Sequence, residues 1–297
     1  MKKFAIIGAA GYVAAKHVNA IKEVGGDLVA AYDVVDNVGY LDSHFMDCRF
    51  TNQAAEFSDL IDELEVDYVS ICTPSYLHVL GVISMLAQNK NVICEKPLCL
   101  YPNELDAIQD AESKSKGTVN TILQLMYHPL VLNFQDRAQS LREGVRVNIQ
   151  YFSPRGDWYF RSWKGNDLNS GGLITNIGIH VLHLLVDTFG EVLRFDNYSP
   201  TSTHNSFDLV FANSNSARVE LDICKDIAPQ RVVRITDNGG HNLGNELRFD
   251  LGAHIHQDLH TAAYRSILTG TGATIEQVRP SIELASLMRK KKFWEKS

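Results

Sequence analysis

The stretch Lys3-Phe4-Ala5-Ile6-Ile7-Gly8-Ala9-Ala10-Gly11-Tyr12-Val13-Ala14 decides the fold. A short apolar run ends in a glycine turn, and apolar positions at helical spacing follow through Val24, which reads as strand, turn and helix. Asp27 to Tyr32 is a second apolar run, and the alternation continues with Asp67 to Cys72, a helix-like stretch from Ser75 to Gln88, and Asn91 to Cys94. Short strands alternating with helices predict a doubly wound parallel sheet, a Rossmann-type domain over residues 1–122.

From about residue 145 the texture changes. Val145 to Tyr151, Phe207 to Phe211 and Val219 to Ile223 alternate apolar and polar residues, the pattern of half-buried antiparallel strands. Helical periodicity returns in Leu173 to Phe189, Leu259 to Leu268 and Ile275 to Met288. The expected class is therefore α/β. The Rossmann domain is followed by an α+β domain over residues 123–297, with helices on one face of an open, mainly antiparallel sheet.

The 297 residues, 45% hydrophobic and 21% charged, suit domains with real cores rather than disorder. A count of 28 Lys and Arg against 35 Asp and Glu, with no long basic run, argues against a nucleic-acid footprint and against anionic surfaces. The cysteines number 5 and contain no C-x-x-C pair, which fits a reduced compartment. No window offers the roughly 18 apolar residues of a membrane span, and the first residues lack the apolar core of a signal peptide. The expected location is the cytoplasm.

In the glycine turn, backbone N–H groups at Gly8, Ala10, Gly11, Tyr12 and Val13 and the helix dipole can hold a pyrophosphate. The turn is a loosened G-x-G-x-x-G with Ala10 at the second glycine position, a pattern that also has purely structural uses. Asp33 ends the second strand about 20 residues beyond, where a carboxylate accepts from ribose hydroxyls. An acid there disfavours a 2′-phosphate, and Val34 and Val35 stand where a cation would favour one, so the expected cofactor is NAD. Thr73-Pro74 and Glu95-Lys96-Pro97 fall at carboxyl ends of strands, the edge where ligands bind. His78 and Gln124 complete the expected cofactor set.

Together, the glycine loop, the acid after strand two, Thr73-Pro74 and Glu95-Lys96-Pro97 resemble the glucose–fructose oxidoreductase/inositol dehydrogenase/MocA (Gfo/Idh/MocA) family over essentially the whole chain. The resemblance implies a C-terminal domain with a large open sheet that pairs in a tetramer or dimer, sugar oxidation or reduction with NAD(P), and Lys96 beside nicotinamide and substrate. The block from Ser153 to Gly165, then Ser170-Gly171-Gly172 and Thr175-Asn176-Ile177-Gly178-Ile179-His180, looks like the WlbA/WbpB subgroup. So do Ile122-Leu123-Gln124-Leu125 and Asp258-Leu259-His260-Thr261. Members of that subgroup are UDP-N-acetyl-D-glucosaminuronate 3-dehydrogenases of surface-polysaccharide (lipopolysaccharide O-antigen) biosynthesis. The chain departs from the subgroup at Met126 and Asn169, where Arg and Lys are common.

Oxidising a secondary alcohol needs a base for the hydroxyl proton and a group that stabilises negative oxygen. His180 and Lys96 are the candidates, His180 as base and Lys96 as the positioning cation, with the roles exchangeable. Asn176, four residues before His180 on an expected continuous helix, would share its face and orient a sugar hydroxyl. For His180 the plain alternative is a core histidine with satisfied hydrogen bonds.

Arg155, Arg161 and Lys164 suit a diphosphate and a uronate carboxylate, Arg155 by its bidentate fork. Trp158, Tyr159 and Trp163 offer flat faces for sugar or uracil, the plain alternative being a loop pinned by aromatic packing, Trp163 above all. Tyr127 and His128 border the pocket or lie on the surface.

Two groups have ligand-like spacing, His180 with His183 and Asp187, and His254 with His256 and His260. Neither has a Cys partner or an H-E-x-x-H pattern, and no metal is expected. The expected function is NAD-dependent oxidation of the nucleotide sugar at its 3-hydroxyl. The alternatives are another sugar dehydrogenase of the family, an NAD-dependent glycosidase, or a non-catalytic NAD and sugar sensor.

Overall fold

In a computed structural model, residues 1–141, 144–236, 247–248 and 253–294 are described. The chain divides into two units, Met1–Gln124 with Gly252–Val278, and Leu125–Leu251 with Arg279–Ser297. The first holds strands β1 (Lys3–Ile7), β2 (Asp27–Tyr32), β3 (Arg49–Thr51), β4 (Tyr68–Ile71), β5 (Asn91–Glu95) and β6 (Val119–Ile122). Between them run helices α1 (Ala14–Glu23), α2 (Ala54–Glu63), α3 (His78–Ala87) and α4 (Pro102–Ser113). All strand pairs are parallel and the order is β3-β2-β1-β4-β5-β6, the doubly wound arrangement expected. Phe4, Ala5 and Ile6 of β1 are each 0% exposed, because helices cover both faces of a parallel sheet. The winding reverses between β1 and β4, which opens a crevice at the carboxyl edge of those strands.

The second unit carries α5 (Pro129–Leu141), β7 (Arg146–Phe152), short helices α6 (Asp157–Arg161), α7 (Asp167–Ser170) and α8 (Gly172–Asn176), then α9 (Ile179–Phe189). Strands β8 (Val192–Pro200), β9 (His204–Phe211), β10 (Ser216–Asp222), β11 (Gln230–Thr236) and β12 (Leu247–Arg248) follow. The sheet order is β12-β11-β7-β10-β9-β8, antiparallel except for β7 against β10. One face is apolar, with Val147, Ile149, Val219, Leu221, Val233 and Ile235 all buried. Phe134 of α5, Phe189 of α9 and Phe211 of β9 pack ring against ring at centroid distances of 6.2 and 5.2 Å. The other face is polar, where Gln150 bridges Glu220 at 3.2 Å and Gln230 at 2.6 Å.

Two expectations are corrected here. The helix expected over Leu173 to Phe189 is broken: α8 ends at Asn176, α9 begins at Ile179, and the axes before and after the break differ by 48°. Gly178 sits at the break because a Cβ there would lie 2.4 Å from the Ile174 carbonyl oxygen and 2.8 Å from Leu221 Cδ1. The second domain also does not run unbroken from residue 123. Helix α10 (Ala253–Leu268) belongs to the first unit, packing on α1, while Thr121 N–H donates to the Ala273 carbonyl at 2.9 Å. Tyr264 of α10, 0% exposed, lies 6.0 Å from the Phe4 ring, a burial that contributes about 1.5–3 kcal/mol. The chain's last described helix is α11 (Ile275–Trp294), and among the described residues no single helix is long and apolar enough to cross a membrane.

Candidate active site

At the carboxyl edge of the first sheet, Gly8 has φ +86°, and a Cβ there would meet the Cys72 carbonyl carbon at 2.7 Å and Thr73 N at 2.8 Å. Only glycine lets the loop pass this closely under the end of β4. The loop is held to β2 by Gly8 and Ala9 N–H groups, which both donate to the Tyr32 carbonyl. Asp33 locks it further, its Oδ2 accepting from Ala10 N at 2.9 Å and its Oδ1 from Val35 N at 3.0 Å. Each carboxylate oxygen keeps a second lone pair for a ribose hydroxyl. Tyr40 closes the loop by donating to the Ala9 carbonyl at 2.8 Å, and burial pushes its phenol above the usual range.

The residues fit NAD by an independent test. Thr73 Oγ1 and Gln124 Oε1 are buried without a hydrogen-bond partner, an arrangement that costs about 1–3 kcal/mol per group unless a ligand completes it. The N–H groups from Gly8 to Gly11 donate inside the protein, so the start of α1 at Tyr12 and Val13 would meet the pyrophosphate and Asp33 the ribose, while the exposed Val34 and Val35 offer no cation to a 2′-phosphate. Nδ1 of His78 lies 2.7 Å from the Pro97 carbonyl oxygen and its Nε2 2.9 Å from that of Thr73, so the ring sits between these two turns and, neutral through burial, donates to one carbonyl at a time.

Glu95 and Lys96 sit on top of a buried polar network. Glu95 Oε1 lies 3.1 Å from His17 Nε2 and 3.3 Å from His260 Nε2, and its Oε2 accepts from Lys96 N at 3.2 Å. Burial opposes the charge on Glu95, yet the hydrogen bonds from the two imidazoles outweigh it and hold the carboxyl well below its ordinary range. An ionised carboxylate only accepts, so both Nε2 atoms carry protons. Burial lowers the pKa of His17, which is neutral and takes the Tyr264 hydroxyl at 2.8 Å on Nδ1, and Tyr264 in turn meets Ser70 Oγ at 2.6 Å. His17, Glu95 and His260 bring ligand-type atoms within 4.8 Å of one another. Their protons and lone pairs already satisfy each other, so the group works as a brace for the backbone at Lys96.

The sequence reading missed His17, Ser70 and Tyr264. A signal existed for His17, which interrupts the buried stripe of α1 formed by Ala14, Val18 and Ile21. Its partners lie 78 and 247 residues away, beyond the reach of any local pattern.

In the second unit, the block expected to grip the substrate is built from short helices. Lys164 Nζ stands 4.3 Å from the Trp163 ring centroid and 5.9 Å from that of Trp158, which is 56% exposed. A surface groove of about 700 Å³ is lined by Arg161, Trp163, Asn166, Asp167 and Asn169 among others. Tyr159 is not an open platform. It is 3% exposed, and its hydroxyl accepts from Asn176 Nδ2 at 2.7 Å, so it supports that amide from below. Because the helix breaks at Gly178, Asn176 and His180 are not stacked turns of one helix. His180 is buried on α9 and lines a small cavity with Leu125, Val131, Ile149 and Leu184.

The remaining expected groups separate. His183 Nε2 lies 3.1 Å from Met126 Sδ, Asp187 accepts from Gln135 Nε2 at 2.6 Å, and buried His128 accepts from Leu130 N at 3.1 Å where α5 begins. The side chains of His254 and His256 lie outside the described residues.

Comparison with known proteins supplies an independent view. Residues 2–122 match the Gfo/Idh/MocA family, described as an oxidoreductase family with an NAD-binding Rossmann fold. The whole chain is similar to the WlbA (WbpB) dehydrogenase from Thermus thermophilus, crystallised with NAD and α-ketoglutarate, at 35% identity over 97% of this chain and 95% of that one, with a TM-score of 0.88. The same dehydrogenase in complex with NAD and UDP-GlcNAcA matches with a TM-score of 0.88 at 34% identity, with coverage of 97% and 95%.

Curated relatives match over shorter segments. The putative oxidoreductase YteT of Bacillus subtilis is 27% identical over 44% of this chain, which spans 32% of that protein's length. Glucose-6-phosphate 3-dehydrogenase of the same species is 24% identical over 62% of this chain and 53% of its own.

Proposed function

The chain belongs to the Gfo/Idh/MocA family of oxidoreductases with an NAD-binding Rossmann fold, and we propose that it oxidises the 3-hydroxyl of UDP-N-acetyl-D-glucosaminuronate to a 3-keto sugar. The observation that carries this reading is the likeness, across nearly the whole chain, to a dehydrogenase crystallised with NAD and that nucleotide sugar. The cation and aromatic block from Ser153 to Lys164 supports it, since a diphosphate and a uronate need positive charge and flat faces. Net charge elsewhere is negative, at −7 for the chain, so that block is not part of a general basic surface.

When bound, NAD supplies the acceptor for the hydride. The chain's residues do the rest. His180 takes the hydroxyl proton, and the Lys96 ammonium lowers the cost of negative charge on that oxygen. Asn176, its amide fixed by Tyr159, orients the sugar. Glu95 holds the backbone N–H of Lys96, so the turn bearing the ammonium is set by His17 and His260. Trp158 and Trp163 offer the flat contacts, while Arg155 and Lys164 meet the anionic groups.

The product would feed an aminotransferase in surface-polysaccharide synthesis, because a 3-keto sugar is the substrate for amination at that carbon. Incubation of the protein with NAD and UDP-N-acetyl-D-glucosaminuronate, with and without 2-oxoglutarate, tests the reading by mass spectrometry. The expected result is a product lighter than the substrate by two hydrogens, with NADH or 2-hydroxyglutarate formed in equal amount. Unchanged sugar in both arms would refute it.

A further inference from the structure

The strand order of the first sheet sends the two ends of NAD to opposite sides of the reversal between β1 and β4. Asp33, which follows β2, marks the adenosine side, so the nicotinamide end falls at the carboxyl ends of β4, β5 and β6. Thr73 Oγ1 and Gln124 Oε1, the buried atoms without a partner, follow β4 and β6 there. Glu95 closes β5 between them, in register with Ile122 of β6.

Glu95 is 6% exposed. A carboxyl so deep is ordinarily neutral, because burial favours the uncharged form. Here His17 Nε2, His260 Nε2 and the Lys96 backbone N–H supply hydrogen bonds at 3.1, 3.3 and 3.2 Å. Such bonds stabilise the negative charge without removing it. The charge also acts along the cofactor edge. Burial is the largest influence on Lys16, Cys72 and His78, but the Glu95 carboxylate supports the ammonium, pushes the thiol further up, and joins the Pro97 and Thr73 carbonyls in favouring the charged imidazole. Lys16 stands in the first turn of α1, Cys72 lies against the Gly8 turn, and His78 touches the Thr73 carbonyl. The field of Glu95 therefore reaches the walls of the cofactor site.

We infer that Glu95 discriminates between the oxidised and the reduced cofactor. The nicotinamide ring of NAD carries a positive charge, and a hydride, two electrons with one proton, cancels it. A fixed anion at this end of the site holds NAD more tightly than it would hold NADH, because only the oxidised ring is attracted. The cost falls on the hydride-transfer step, and the gain is in loading NAD and in discharging NADH by release or by onward transfer of its hydride. The inference rests on NAD binding and not on the identity of the sugar.

The test is titration calorimetry of NAD and of NADH, without sugar, on the full chain freed of nucleotide and on its E95Q, E95D and E95A variants. The quantity read is the ratio of the two dissociation constants. E95Q, which keeps the shape and removes the charge, is expected to shift that ratio toward NADH by about 5- to 30-fold. E95D keeps the charge and should hold the ratio within about threefold of the native value even where both affinities fall. A merely structural role would weaken both cofactors together and leave the ratio in place. A shift of less than about threefold in E95Q, a shift toward NAD, or an equal shift in E95D would overturn the inference. E95A removes the charge without setting an amide against the Lys96 N–H, and carries the same prediction should E95Q not fold. Failure of the chain to oxidise the nucleotide sugar would leave this result standing, since no sugar enters the measurement.

Discussion

The carboxyl edge of the first sheet and the cation-rich block of the second unit handle polar groups in opposite ways. At the first, nearly every charged atom has a fixed partner: Asp33 is pinned by two backbone amides and Glu95 by two imidazoles and an amide. In the block, Lys164 lies over indole rings and Arg155 donates to the Ser153 hydroxyl. A fixed network suits a cofactor whose position must not vary, since the cost of ordering is met at folding rather than at binding. Cations grouped with aromatic rings suit a ligand that brings both negative charge and flat rings.

Substitutions should therefore act differently in the two regions. The largest effect is expected at Lys96→Ala, where kcat falls by roughly 10²- to 10⁴-fold while NAD affinity by fluorescence titration changes little. Preserved turnover would remove Lys96 from the chemistry. Asp33→Ala should raise the KM for NAD by about tenfold and narrow the preference over NADP, since Asp33 is the proposed ribose acceptor and anchors Ala10. An unchanged KM would show that the loop holds itself.

A third outcome concerns pH. His17 and His78 have pKa values lowered by burial, so the unfolded chain takes up protons first. Their contribution is present above the unfolded value of about 6.5 and is lost as pH falls below it. Glu95, also depressed, adds a further loss below about 4.3. Melting temperature should drop between pH 7 and 5, and a rise over that range would contradict the buried neutral imidazoles. The smallest effect is expected in the block. Trp158→Ala removes an exposed ring and should raise the KM for the nucleotide sugar by about two- to tenfold, with kcat held.

The same contrast governs what the sequence could disclose. The glycine turn, Asp33, Thr73 and Glu95-Lys96-Pro97 were legible because each follows a strand, and local periodicity locates strand ends. The His17 to Tyr264 contact was not, because it joins α1 to a helix that returns from the far end of the chain. The break between Asn176 and His180 was hidden by an apolar run that continues through Gly178, whose role appears only once Ile174 and Leu221 are placed around it. Tyr159 read as a binding face because aromatic residues in a loop look alike until burial is known.

The account rests on hydride leaving carbon 3 of an anionic nucleotide sugar. UDP-N-acetylglucosaminuronate carrying deuterium at that carbon tests it most directly. Transfer of the label to NAD, or through it to 2-hydroxyglutarate, with loss of deuterium from the sugar, is the result predicted. Oxidised sugar that keeps its deuterium, or no transfer of label at all, would contradict it.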